Sequence, residues 1–124
     1  MLNENGIKYD TLKTRWDLLP LPMIKQIVDV LTFGSRKYSD NNWKMIPDAK
    51  TRYFSAMMRH VEQWQSGEQR DEESGYHHLA HAGCCLLFIL WFDEHETTNK
   101  AVGLAANNLS TNQLMVASEP TLKI

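Results

Sequence analysis

Residues 76–94 read YHHLAHAGCCLLFILWFDE, and this stretch decides the fold. From Ala80 to Phe92 it is apolar almost all round, broken by His81. A helix apolar on every side belongs at the centre of a protein. The nearly apolar run Leu79–Phe92 is 14 residues long, too short to cross a bilayer. The expectation is therefore a central buried helix over 76–94, with Ser74 and Gly75 at its start.

Upstream, the polar and acidic stretch SGEQRDEESG (66–75) reads as a turn. Before it, Phe54, Met57, Met58, Val61 and Trp64 form the apolar stripe of a second helix, 49–65. Asp48 is placed as its N-cap and Gly67 as its stop. Further back, Ile24, Ile27, Val28 and Leu31 fall at i, i+3, i+4 and i+7. That spacing predicts a helix over 22–33, with Pro22 in its first turn and Gly34 ending it. The connection 35–50 has room for a short helix at 35–39; it carries Lys37, Tyr38, Asn42 and Trp43. Alternation of period two is not sustained anywhere, so the class is all-α. Residues 1–19 read as a polar lead-in. We expect a helical domain over 1–96 and a tail, or an arm on a partner subunit, over 97–124. A weak helix is expected at Ala101–Leu109.

A chain of 124 residues suits one domain. Its net charge of -2 disfavours duplex nucleic acid, which selects a basic footprint. Cys84 and Cys85 are neighbours on a helix and point about 100° apart, so they are poorly placed to bridge. Buried free thiols fit a reducing compartment. The polar start MLNENGIKYD has no apolar signal region. The expected location is cytoplasmic, with no membrane partner.

Chemistry concentrates in one window: Arg59, His60, Glu62, Glu68, Asp71, Glu73, His77, His78 and His81. His78 and His81 share a helical face. His81, inside an apolar helix, needs a partner. Two readings stand: it hydrogen-bonds across the core, or it joins His60, His78 and the turn carboxylates in a site between antiparallel helices. The turn acids read either as solvated charges or as hard oxygen ligands. Tyr38 and Trp43, beside Lys37 and Lys44, either stack a base above a phosphate or plug the core. GxGxxG, the phosphate-loop GKS or GKT, GxSxG, spaced CxxC and an HD pair are all missing from the sequence. The commonest nucleotidase and hydrolase signatures are thereby removed.

The combined pattern covers residues 8–96. It runs Asp17-Leu18-Leu19-Pro20, Phe33-Gly34, Lys37-Tyr38, Asn42-Trp43, Arg52-Tyr53, Arg59-His60 and Trp64. It continues through Gly67-Glu68, Asp71, Glu73-Ser74-Gly75 and His78-Leu79-Ala80-His81-Ala82. On these residues the chain resembles the phage-borne dATP/dGTP diphosphohydrolase family, a divergent group of MazG-like all-α nucleotide pyrophosphohydrolases. The resemblance implies a MazG-like helical bundle, usually oligomeric. It also implies cleavage of a nucleoside triphosphate to monophosphate and pyrophosphate with a divalent metal, in the host cytoplasm if the chain is phage-encoded. The MazG pattern takes its ligands from ExxE on one helix and ExxD on the next. This chain has Arg59, His60, Gln63 and Trp64 at the first place and His78 and His81 at the second.

On that resemblance, the expected function is hydrolysis of purine (deoxy)nucleoside triphosphates; the alternative is a non-hydrolysing nucleotide-binding or sequestering protein. Glu68, Asp71, His78 and His81 are expected to hold the metal, and Glu62 or Glu73 to orient the water. Lys37, Arg52 and Arg59 would neutralise phosphate. Tyr38 and Trp43 would hold the base, with His60 also on the substrate side. The expected cofactor is a divalent metal, magnesium or manganese first and another transition metal next, since imidazole suits the latter. A homo-oligomer is expected, with 76–94 near its interface.

Overall fold

Three helices make up most of what the structure, a computed structural model, describes: the backbone of residues 5–107 and the side chains of residues 5–96. They are α1 (Leu21–Lys37), α2 (Ala49–Gln65) and α3 (His78–Asn107). Short 3-10 turns, Trp16–Leu18 and Asn42–Met45, precede α1 and α2. Among the described residues the β structure is a single bridge, Arg70 with His77. The all-α class holds. No helix among the described residues is long and apolar enough to cross a membrane.

The helix ends differ in part from expectation. Gly34 does not stop α1, which continues one turn to Lys37 and closes with Tyr38 N–H donating to Gly34 C=O at 3.0 Å. Arg36 and Lys37 lie in that last turn, where cations suit the helix dipole. The short helix expected at 35–39 is thus absorbed into α1. Asp48 is the N-cap residue of α2, but its backbone is left-handed (φ 52°) and its side chain makes no capping bond. Gly67 does end α2. At φ 110° it lets Gly67 N–H reach Trp64 C=O and Glu68 N–H reach Gln63 C=O, both at 3.0 Å. This paired reversal satisfies orphan carbonyls and needs a residue without Cβ. Helix α3 passes the expected stop at 94 and crosses the 96/97 boundary unbroken; no Gly or Pro interrupts residues 84–102. The helix expected at Ala101–Leu109 is the continuation of α3 as far as Asn107; 108–124 lie outside the described residues.

Helix α3 packs mainly on α2 and less extensively on α1. One core cluster joins Ile46, Ala49, Tyr53 and Cys85 with Trp43, Phe88 and Phe92. A second joins Val30, Ala80 and Cys84 with Ile27, Leu31, Tyr76 and Phe88. Phe88 belongs to both and ties the three helices together. Trp43 stacks on Phe88 (centroids 4.3 Å, planes 14° apart) and its C=O accepts from Tyr53 Oη at 3.3 Å. Trp43 therefore packs against the core and is only partly buried. Gly83 allows α1 close to α3, since a Cβ there would stand 2.8 Å from Ile27 Cδ1.

The opposite side of α3 is bare in the single chain. Leu79, Leu86, Leu87 and Leu90 are 39%, 56%, 47% and 56% exposed, and Phe54 and Met58 of α2 are exposed too. The stripe read from the sequence of α2 is rotated: its buried residues are Ala49 and Tyr53, in register with Ala56 and His60.

Candidate functional site

The α2–α3 turn builds the site. Gly67 reverses the chain and returns Glu68 towards the first residue of α3. The two arms of the turn then pair: Asp71 N–H donates to Tyr76 C=O (2.8 Å) and His78 N–H to Gln69 C=O (2.9 Å). At the tip, Ser74 N–H donates to Asp71 Oδ2 (2.9 Å), and Gly75, at φ 77°, donates its N–H to Asp71 C=O (2.8 Å). His77 Nδ1 accepts the Leu79 N–H at 3.0 Å, capping the start of α3 in the manner usual for Ser or Asp.

This framing sets three imidazoles side by side. His60 on α2 and His78 on α3 bring their Nδ1 atoms to 2.9 Å. His60 and His81 stack nearly parallel, centroids 4.5 Å apart and planes at 9°. His81 Nε2 meets Ser74 Oγ at 2.7 Å, so His81 is hydrogen-bonded to the turn rather than across the core, and its ring lies against His60. His78 is fully buried, and its Nε2 lies 3.1 Å from Glu68 Oε1. That approach is off the line of a hydrogen bond, and Nε2 has no aligned partner among the described residues. One ligating atom each of His60, Asp71 and His78 lies within 4.8 Å of the other two.

The electrostatics favour a cation. Burial lowers His60 to about 4, and the neighbouring His81 and His78 push the same way. Burial likewise lowers His81. Burial works to raise Asp71, but the hydrogen bonds from Ser74 backbone and side chain, with the adjacent histidines, prevail and hold it below the carboxylate range. His60 and His81 are thus neutral and Asp71 charged at neutral pH. Neutral imidazole beside a carboxylate is a donor set for a divalent metal.

One side of the cluster opens into a cavity of about 420 Å³. Its walls include Phe33 and Lys37 of α1, Tyr38 to Trp43 of the connection, and Tyr53, His60, Asp71, Glu73, His81 and Phe88. Lys37 Nζ pairs with Glu73 across the mouth and sits 5.3 Å from the Tyr38 ring centroid.

Of the residues singled out from the sequence, Lys37, Tyr38, Trp43, His60, Asp71, Glu73 and His81 line this cavity, while Glu68 and His78 stand behind it. Arg52, Arg59 and Glu62 do not line it. Arg52 Nη1 reaches Pro47 C=O at 3.4 Å, and Arg59 and Glu62 are exposed on α2. Sequence reading gave no role to Ser74, which latches His81, or to Tyr53 and Phe33 in the cavity wall. Gly75 beside Ser74 was the available signal for the first; Tyr53 and Phe33 were visible only as parts of the family pattern.

The comparisons with known proteins agree with one another. A family model described as dATP/dGTP diphosphohydrolase, N-terminal, matches residues 3–101. A dATP/dGTP diphosphohydrolase of Salmonella phage PMBT28 is 33% identical over 94 residues, covering 76% of this chain and 32% of that protein. The chain thus spans about a third of the length of the relative it matches. No solved structure matches it.

Proposed function

The chain belongs to the dATP/dGTP diphosphohydrolase N-terminal family, and from that premise we propose that it hydrolyses purine (deoxy)nucleoside triphosphates to monophosphate and pyrophosphate with a divalent metal. The observation that carries this reading is the 420 Å³ cavity with a cation and an aromatic ring at its mouth and His60 and Asp71 in its wall. A pocket of this size lies in the range that holds a small ligand.

Lys37 and Glu73 neutralise each other at the mouth. An arriving triphosphate competes for the ammonium, and the released Glu73 carboxylate is then able to accept a proton from an attacking water. Of the two acids expected for this task Glu73 is the better placed, because Glu62 does not line the cavity. Tyr38 offers a ring face beside the cation, suited to a base or sugar. Trp43 supports the floor from within the core. Neutral His60 with charged Asp71 suits a divalent metal, which when bound polarises phosphate and lowers the pKa of water. The exposed leucines of α3 support a homo-oligomer, since a bare apolar face of this kind marks an interaction surface.

The test is direct. The protein is incubated with each ribo- and deoxynucleoside triphosphate and with magnesium, manganese, cobalt or zinc, and products are resolved chromatographically. Monophosphate and pyrophosphate from dATP or dGTP bear the proposal out. Tight nucleotide binding without turnover under any metal replaces it with a sequestering role on the same fold.

A further inference from the structure

His78 is fully buried, yet its Nε2 lacks an aligned hydrogen-bond partner among the described residues. Its Nδ1 faces His60 Nδ1 at 2.9 Å. Across such a gap one ring donates and the other accepts. If His78 donates there, its Nε2 is a bare lone pair 3.1 Å from a carboxylate oxygen of Glu68. If His78 accepts, its Nε2–H is buried and aimed off that oxygen. Neither tautomer satisfies the cluster, which is unusual for a buried polar group.

A cation in place of the shared proton fixes the tautomer. Two nitrogens at about 2.1 Å from one ion stand about 3.0 Å apart at octahedral right angles and about 3.4 Å apart at tetrahedral angles; the two Nδ1 atoms, at 2.9 Å, are close to the first. With both lone pairs turned to an ion, His78 must carry its proton on Nε2, 3.1 Å from Glu68 Oε1, and a small turn of that half-exposed carboxylate brings it into line as the acceptor. Imidazole ligands ordinarily donate their other N–H to a carboxylate in this way. Asp71 completes the set from the turn, its carboxylate already held by Ser74 N–H at 2.9 Å.

We infer that His60 and His78, through their Nδ1 atoms, and the carboxylate of Asp71 hold one first-row transition-metal ion, with Glu68 as the acceptor of the His78 Nε2–H. His81 is a positioning residue: its Nε2 is engaged by Ser74 and its ring stacks on His60. The ion is of the zinc, cobalt or manganese kind. Two nitrogens and one oxygen form a softer set than the oxygen cage magnesium prefers. Three protein ligands also leave positions for water and phosphate, the pattern of reactive sites. This inference deepens the hydrolase reading and rests on it only for the use made of the ion; binding stands apart.

The experiment measures metal first, without nucleotide. The full chain is stripped with chelator and titrated with cobalt(II), with visible absorption and elemental analysis as readouts. Competition with zinc, manganese and magnesium follows. We expect one ion per chain, with zinc and cobalt displacing magnesium at a hundredfold lower concentration. His78→Ala and Asp71→Asn should lose the cobalt spectrum, and Glu68→Gln should weaken binding about 10–100-fold. His95→Ala, on a distant turn of α3, should leave it unchanged. Circular dichroism identifies which variants fold, and Asp71→Asn on the solvent side of the cluster keeps the test alive if His78→Ala does not. A folded wild type that takes up no transition metal overturns the inference, as does cobalt binding indifferent to Asp71→Asn. Metal bound at these residues without hydrolysis of any triphosphate leaves the site standing and removes the hydrolase reading. Hydrolysis that survives loss of the site removes the inference and leaves the hydrolase.

Discussion

The Nδ1 atoms of His60 and His78 stand 2.9 Å apart across the α2–α3 interface although 18 positions separate them in the chain. The contact joins the last third of one helix to the first residue of the next. The twelve-residue turn between them is what aims them at each other.

A pH dependence follows from this cluster in metal-free protein. Burial holds folded His60 at about 4, whereas the unfolded side chain titrates near 6.5. The unfolded chain therefore binds the proton first. His60 contributes stability above pH 6.5 that is lost as pH falls towards 4, on the order of 1–3 kcal/mol. His81, also lowered, acts with the same sign. Melting curves of chelated protein from pH 7 to 4.5 should show Tm falling, and His60→Gln should flatten the slope. A wild-type Tm constant over that range would contradict the assignment.

Trp43→Ala should destabilise the protein by about 2–4 kcal/mol with no nucleotide present. The ring stacks on Phe88 and meets Trp91 and Phe92 edge-on. Urea unfolding gives the value, and Trp43→Phe should recover much of it. An unchanged midpoint together with lost nucleotide affinity would move Trp43 from floor to binding surface.

Lys37 and Glu73 separate in kinetics. Lys37→Ala should raise KM for triphosphate several-fold. Glu73→Gln should lower kcat by about 10²–10⁴ while binding persists, the range for loss of a general base. Equal effects on both constants from both variants would mean that the pair acts only as a structural tie.

Leu86→Glu with Leu90→Glu should yield a monomer near the single-chain mass of 14.4 kDa by light scattering where the parent is larger. The parent's own mass is the first check. A wild-type monomer at micromolar concentration would end the oligomer proposal.

The sequence made the three helices legible because their apolar spacing and bracketing glycines are local signals. It misjudged Gly34, since a glycine with open space around it ends a helix only if the following residues leave, and Arg36 and Lys37 favour staying. It misjudged the rotation of α2 because Phe54 and Met58 are as apolar as Met57; burial is decided by the facing helix. The chemical window from residue 59 to 81 was visible as a density of titratable side chains. Which nitrogen faces which was not, because the pairing of His60 with His78 and of His81 with Ser74 depends on the turn's backbone. That Glu73 lines the cavity and Glu62 does not was likewise hidden until the wall was formed.

Cys84 and Cys85 sit in the packed seams of α3, and burial pushes their thiols up to about 12 and about 11. Only thiolate reacts quickly with a maleimide or an aromatic disulfide reagent. In the folded chain, then, these sulfurs react slowly, and because both also line the cavity, they report access to it as well as any parting of α3 from α1 or α2. Labelling rate measured against reagent concentration would time that parting without any probe being introduced. A nucleotide filling that cavity should slow the clock.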